Sequence, residues 1–124
     1  STAVQFMLPV KIFILNNEYM GMVRQWQQLL HEGRYSHSYS DSLPDFVKLA
    51  EAYGATGIRA EKPSELDAAL KKMIETPGPV IFDCRVDQFE NCYPMIPSGA
   101  AHNEMILGDD PEGASVSEEG KMLV

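Results

Sequence analysis

Cysteine is scarce in this chain, with only Cys84 and Cys92 among 124 residues. Two thiols this close in sequence cannot supply the disulfide framework of a small secreted domain. Lacking a second pair or a histidine cluster, they do not make a zinc site either. They read as free thiols, buried or partly buried, in a reducing compartment, the cytoplasm or an equivalent organelle matrix. Basic residues are also few: ten Lys and Arg face eighteen Asp and Glu, a net charge of −8. That sign argues against nucleic acid, whose phosphates attract basic surfaces. No apolar run approaches the roughly 20 residues that cross a bilayer, so no membrane span is expected. Initiator methionine, signal-peptide pattern and internal repeats are all absent. The opening Ser1-Thr2-Ala3-Val4 reads as an entry into the middle of a longer fold.

What is present is the composition of a globular segment, 44% apolar and 23% charged, with room for one modest core. Val10 to Leu15 is an almost continuous apolar run, as in a strand covered on both faces of a parallel sheet. Asn16-Asn17 ends it. After Gly21, apolar residues at Met22, Val23, Trp26, Leu29 and Leu30 follow helical spacing, with Arg24, Gln25, Gln27 and Gln28 on the other side. Gly33 is a stop signal, and a polar loop follows to Ser42. Pro44 starts a second helix with Phe46, Val47, Ala50 and Tyr53 on its apolar face, and Gly54 closes it. Thr56 to Ala60 is a short strand. Pro63 opens a helix that buries Leu66, Ala69, Leu70 and Met73, and Pro79 to Val86 is the last strand.

Strands alternating with helices specify a parallel, right-handed α/β unit. Three visible strands make a small sheet for that class, so Ser1 to Met7 is expected to end a preceding helix. Beyond Val86 periodicity is lost. Eight of the acids fall from Asp87 onward against one base, Lys121, which suggests a solvated acidic extension. The three histidines, His31, His37 and His102, match no metal spacing and read as solvated or structural. Met20, Met22, Met73 and Met95 read as gap-fillers in core or pocket.

In open parallel sheets ligands bind beyond the carboxyl ends of the strands, where Asn16-Asn17 lie. An amide oxygen there suits a hard cation such as Mg²⁺, and the free N–H groups of the following helix start suit a diphosphate. The simpler reading is a turn, because Asn side chains bond their own backbone at strand ends.

The run Asn16-Asn17-Glu18-Tyr19-Met20-Gly21-Met22-Val23-Arg24-Gln25-Trp26-Gln27 resembles the second half of the thiamine diphosphate motif of the acetohydroxyacid (acetolactate) synthases. The similarity continues through Arg34 to His37, Pro44 to Ala50, Gly78-Pro79-Val80 and Pro94 to Gly99. It implies an α/β, parallel three-layer sheet of the thiamine diphosphate-binding fold, truncated at its amino-terminal side. Residues 1–86 would then be the carboxy-terminal part of that domain, 87–107 a loop-rich extension and 108–124 an acidic, disordered tail.

Carried over by position, the resemblance makes Asn17 the side-chain ligand of Mg²⁺ and Tyr19 its backbone-carbonyl ligand. Asn17, Gly21 and Met22 would lie against the cofactor, with glycine letting backbone approach closely. Trp26, with Met22 and Val23, would line the substrate channel. On the residues alone Trp26 is a core residue of an amphipathic helix. No catalytic residue is assigned: the family's base-activating glutamate lies in an amino-terminal domain, so Glu18 is not that group. The Gly-Asp-Gly half of the motif and the FAD-binding domain also lie outside this sequence. The family's reaction joins pyruvate to a second 2-ketoacid with loss of CO₂, in branched-chain amino-acid synthesis. It is run by a homodimer or homotetramer with a regulatory small subunit, and this chain alone would be inactive. Another thiamine-dependent carboligase or decarboxylase, or a non-catalytic α/β module, are the alternatives.

Overall fold

The computed structural model describes residues 1–108, which form two compact units. The first comprises Ser1–Glu18 and Asp41–Asp87. The second comprises Tyr19–Ser40 and the described residues from Gln88 onward. The acidic stretch from Asp109, expected to be disordered, lies outside the described residues.

In the first unit, a short helix α1 (Thr2–Gln5) precedes strand β1 (Lys11–Asn16). The chain re-enters the unit at Asp41 and continues through helix α3 (Phe46–Ala52), strand β2 (Thr56–Ala60), helix α4 (Pro63–Glu75) and strand β3 (Val80–Arg85). The sheet is all parallel in the order β1-β3-β2. The last strand is thus the central one, and its burial pattern is the most complete of the three.

Alternation of side chains along the strands divides the residues between two faces. Ile58 and Ala60 of β2, and Val80, Phe82 and Cys84 of β3, form one face with Ala69 and Met73 of α4 beneath them. Leu66 and Leu70 pack partly buried against this cluster, so the face expected for α4 is the face it uses. On the opposite side α3 presses against β2 and β3. A Cβ on Gly57 would meet the Val47 backbone at 2.8 Å, so the helix sits where only glycine lets it. The result is helix, sheet, helix: three layers.

Local chemistry fixes the ends of these helices. Pro63 occupies the first turn of α4, where its missing N–H costs nothing. The Glu65 carboxylate accepts from the Glu61 and Lys62 N–H groups, which holds its own pKa below the usual carboxylate range. At the other end Lys11 Nζ donates to the carbonyls of Thr76 and Gly78, at 2.5 and 2.7 Å, placing a cation on the negative end of α4. Pro44 does not start α3. Asp45 caps it, accepting from the Val47 and Lys48 N–H groups at 3.0 and 3.2 Å, because a carboxylate satisfies orphan donors that proline cannot reach.

Within this chain β1 lies beside β3 alone, α3 and α4 pack on β2 and β3, and Ile12, Phe13 and Leu15 remain 46%, 39% and 67% exposed. One expectation fails here: the two thiols are not both buried. Cys84 sits in the core and Cys92 is exposed. The methionines divide similarly, with Met73 and Met95 buried and Met20 and Met22 more than half exposed.

The second unit holds helix α2 (Gly21–Leu30), a short 3-10 turn at His102–Glu104, and two isolated antiparallel bridges, Tyr19 to Tyr39 and Met95 to Ile106. Among the described residues no helix is long and apolar enough to cross a membrane.

Candidate functional site

Strand β1 ends the first unit's sheet at Asn16, and Asn17 and Glu18 follow at the carboxyl edge. Below that edge lies a buried polar network. Asp83, whose side chain is fully buried, accepts from Asn16 Nδ2 at 2.8 Å and from Arg59 Nε at 2.9 Å. Arg59 also pairs with Asp45 at 2.9 Å. Burial works against the charge on Arg59, but its bond to Asp83 and the charges of Asp45 and Asp83 outweigh that and raise its pKa. Arg85 lies 3.5 Å from Asp83 through its Nε and ion-pairs with Glu18 through Nη1. Glu18 is therefore engaged by a guanidinium, not poised as a base. Cys84 next door is pushed up by burial and then by the Asp83 charge, so it stays a neutral thiol at physiological pH.

Tyr19, Gly21, Met22, Val23 and Trp26 belong to the second unit. There α2 reverses the ordinary arrangement of an amphipathic helix. Its buried residues are Arg24 and Gln25, 5% and 1% exposed. Gln25 donates to the Cys92 carbonyl at 3.0 Å and accepts from the Cys92 N–H at 2.7 Å, closing both backbone groups of that residue. Arg24 donates to the Phe89 carbonyl at 3.3 Å and to Asn91 Oδ1 at 3.2 Å. Its guanidinium also stands 5.0–5.5 Å from the ring centres of Phe89, Tyr35 and Tyr19. Gln28 accepts from Asn91, and Gln27 donates to the Ser36 carbonyl.

With its polar side engaged, α2 leaves the first part of its apolar side open, while Leu29 and Leu30 are half-buried. Met22, Val23 and Trp26 are 53%, 45% and 37% exposed. Together with Gln27, His31 and Arg34 they line an open concavity of about 620 Å³. Such a space takes a small organic ligand or part of a larger one. Trp26 keeps part of its indole on this open face. No side chain caps the start of α2 and no acid lies in its first turn, so that terminus presents N–H groups and a positive dipole end to an anion.

Among the described residues no group of three or more His, Cys, Asp and Glu is arranged to hold a metal ion. A cation here would depend on amide, carbonyl and phosphate oxygens, the hard donors that Mg²⁺ prefers, and Asn17 offers one such oxygen. His31 borders the concavity, while His37 and His102 are exposed elsewhere, so the three form no cluster.

Sequence reasoning missed Asp83, Arg59 and Arg85. A lone acid inside the apolar run Val80 to Cys84 was the available signal, since an unpaired carboxylate is rarely tolerated in a central strand. Nothing in the sequence marked Arg59 or Arg85 as its partners.

The parallel α/β sheet of the first unit is of the class that binds ligands beyond the carboxyl ends of its strands. Residues 1–84 match the family described as "Thiamine pyrophosphate enzyme, C-terminal TPP binding domain", and the chain belongs to that family. Within it, the chain is 51% identical over 112 residues to the mitochondrial acetolactate synthase catalytic subunit of Saccharomyces cerevisiae, covering 90% of this chain and 16% of that protein. It is 48% identical over 110 residues to the isozyme 3 large subunit of acetolactate synthase of Escherichia coli, covering 86% of this chain and 19% of that one. The acetolactate synthase large subunit of Cyanidium caldarium is 47% identical over 106 residues, 85% of this chain and 18% of it. Among solved structures, a thiamine diphosphate-dependent 4-hydroxybenzoylformate decarboxylase of Rhodococcus jostii superposes with a TM-score of 0.63 at 30% identity, over 73% of this chain and 17% of that chain. The chain thus spans less than a fifth of the length of these relatives.

Proposed function

We propose that this chain serves as the carboxy-terminal part of the thiamine diphosphate-binding domain in an acetolactate synthase catalytic subunit. The whole enzyme would condense pyruvate with a second 2-ketoacid, pyruvate or 2-ketobutyrate, releasing CO₂. The observation that carries this reading is the reversed helix α2. Its polar side is tied down by hydrogen bonds, and its Met22, Val23 and Trp26 are held open around a concavity. That arrangement suits a channel wall and makes little sense for a helix whose purpose is to fill a core.

In this proposal Asn17 gives its amide oxygen, and Tyr19 its backbone carbonyl, to Mg²⁺. Gly21 and Met22 lie against the cofactor, and Trp26 with Met22 and Val23 bounds the path of the 2-ketoacid. Thiamine diphosphate supplies the electron sink for decarboxylation and carbon–carbon bond formation. The protein groups supply orientation, with the indole of Trp26 limiting the size of the acceptor. FAD would be bound by other parts of the subunit. A small regulatory subunit and assembly as a homodimer or homotetramer, in the cytoplasm or an organelle matrix, complete the proposal. The large-subunit names of the relatives support the small regulatory subunit.

The test is made on the full-length subunit carrying this chain. Pyruvate should yield acetolactate only with thiamine diphosphate and Mg²⁺ present. Asn17→Ala should raise the Mg²⁺ requirement by about tenfold or more, the usual consequence of losing metal-site support. Trp26→Leu should change the ratio of products from pyruvate and 2-ketobutyrate as acceptors. Release of the free aldehyde without condensation would instead identify a decarboxylase, the activity named for the structural relative.

A further inference from the structure

We infer that Asn16 and Asp83 form a positioning pair that sets the turn carrying Asn17; the inference rests on the proposal that Asn17 is a Mg²⁺ ligand. Four bonds converge on this turn, all within the first unit. Asn16 is 5% exposed and donates through Nδ2 to Asp83 Oδ1 at 2.8 Å. Its Oδ1 accepts from the Glu18 N–H at 3.1 Å, reaching over Asn17 to the residue beyond it. Its backbone carbonyl accepts from the Val86 N–H at 3.2 Å. The Glu18 carboxylate, in turn, is paired with Arg85. Glu18 has φ of 61°, a left-handed conformation that a residue with a side chain holds only when its surroundings enforce it.

The register explains why Asp83 and Asn16 meet. Ile14 of β1 lies beside Asp83 of β3, and Asn16 lies beside Arg85, so Asn16 and Asp83 occupy one sheet face two positions apart. A buried carboxylate in a central strand is costly unless neighbouring donors satisfy it. Arg59 Nε at 2.9 Å and Asn16 Nδ2 at 2.8 Å do so. The carboxylate thereby fixes the Asn16 amide in one orientation, with nitrogen toward Asp83 and oxygen toward Glu18. Reversing that amide would face oxygen against oxygen at Asp83 and nitrogen against the Glu18 N–H. Asp83 thus acts on the metal-binding residue through Asn16, without touching the cation.

A charge swap separates this from a merely structural role. Asn16→Asp sets two carboxylates against each other while keeping an oxygen for the Glu18 N–H. Adding Asp83→Asn restores one donor and one acceptor in reversed order, because an amide at position 83 can donate to the carboxylate at position 16 and still accept from Arg59. In the full-length subunit, Mg²⁺ affinity in the presence of thiamine diphosphate is read by titration calorimetry, and exchange of the Glu18 amide is read without cofactor. N16D should weaken Mg²⁺ binding by about tenfold or more and speed the Glu18 amide, and N16D/D83N should recover most of both. If N16D does not fold, Asn16→Ser, whose single short hydroxyl cannot bridge Asp83 and the Glu18 N–H as the amide does, should weaken Mg²⁺ binding and speed the Glu18 amide in the same direction. Unchanged Mg²⁺ affinity in N16D or N16S, with Asn17→Ala still weakening it, would overturn the pair and leave the ligand assignment intact. Unchanged affinity in Asn17→Ala would overturn the assignment itself. Weakened binding that the double variant does not recover would reduce the pair to general structural support and overturn the inference.

Discussion

The two units of this chain are held together by opposite means. In the first, β2, β3 and α4 bury a continuous apolar cluster around Phe82 and Val80, both fully buried. Polar groups are admitted only where Asp83, Arg59 and Asn16 satisfy one another. In the second, the helix α2 buries an arginine and a glutamine and leaves Met22, Val23 and Trp26 exposed. Apolar burial is non-directional and tolerates small shifts, so it suits a scaffold. Hydrogen bonds to specific carbonyls and rings are directional and fix one helix face in one orientation, at the cost of depending on every partner. The wall proposed for Met22, Val23 and Trp26 would need that second property, because its apolar residues would have to remain uncovered to meet a ligand.

Changes to each unit should therefore fail in different ways. The largest effect is expected from Phe82→Ala, which opens a cavity at the centre of the sheet. Losses for such truncations run to about 3–5 kcal/mol. Chemical denaturation should register that loss, and amide exchange should show it across β2, β3 and α4. A loss under about 1 kcal/mol would mean that the cluster is not what stabilises the first unit.

Gln25→Leu comes next. It makes α2 more apolar, yet it removes both partners of the Cys92 backbone, and each such bond contributes about 0.5–1.5 kcal/mol. Amides around Cys92 should exchange faster while those of β3 are unaffected. A stabilised variant would show that α2 is held by apolar burial after all and erase the contrast between the units.

Trp26→Leu should alter folding stability by no more than about 0.5 kcal/mol, as for other surface sites, even though it removes the chain's largest side chain. A substantial drop in the melting temperature would return Trp26 to a core role.

The smallest effect concerns acid. The pKa of Asp45 is lowered chiefly by its bond from the Lys48 N–H, against opposing desolvation and with help from the Arg59 charge. A carboxylate whose folded pKa is lowered stabilises the fold above its unfolded pKa, and that contribution disappears as pH falls through the folded value. Asp45→Asn, which can still cap α3, should flatten the acid limb of the stability profile slightly and leave neutral pH nearly unchanged. An identical profile in the variant would remove Asp45 from the account of acid sensitivity.

Much of the first unit was legible in the sequence. The bounds of β2 and the buried face of α4 follow from periodicity and from Pro63, because local propensity and tertiary packing agree there. The start of α3 was misjudged at Pro44 because Asp45, one residue on, offers the helix an oxygen. The strand order was not legible either, because an apolar run signals a strand but does not say that β1 pairs with β3 and not with β2.

At the site the division is sharper. Asn16-Asn17 and Gly21 to Gln27 carried the family resemblance, and with it the expectation that Trp26 faces a channel. Composition and spacing on their own assigned Trp26 to a core, since a 3.6-residue period says which side chains share a face but not which face turns inward. The sequence by itself determined the parallel α/β class, the element order and the family. Only the tertiary structure decided that α2 buries its polar side and that Asp83 orients Asn16. Both depend on partners 67 residues away along the chain, where local pattern carries no information and geometry alone brings donor to acceptor.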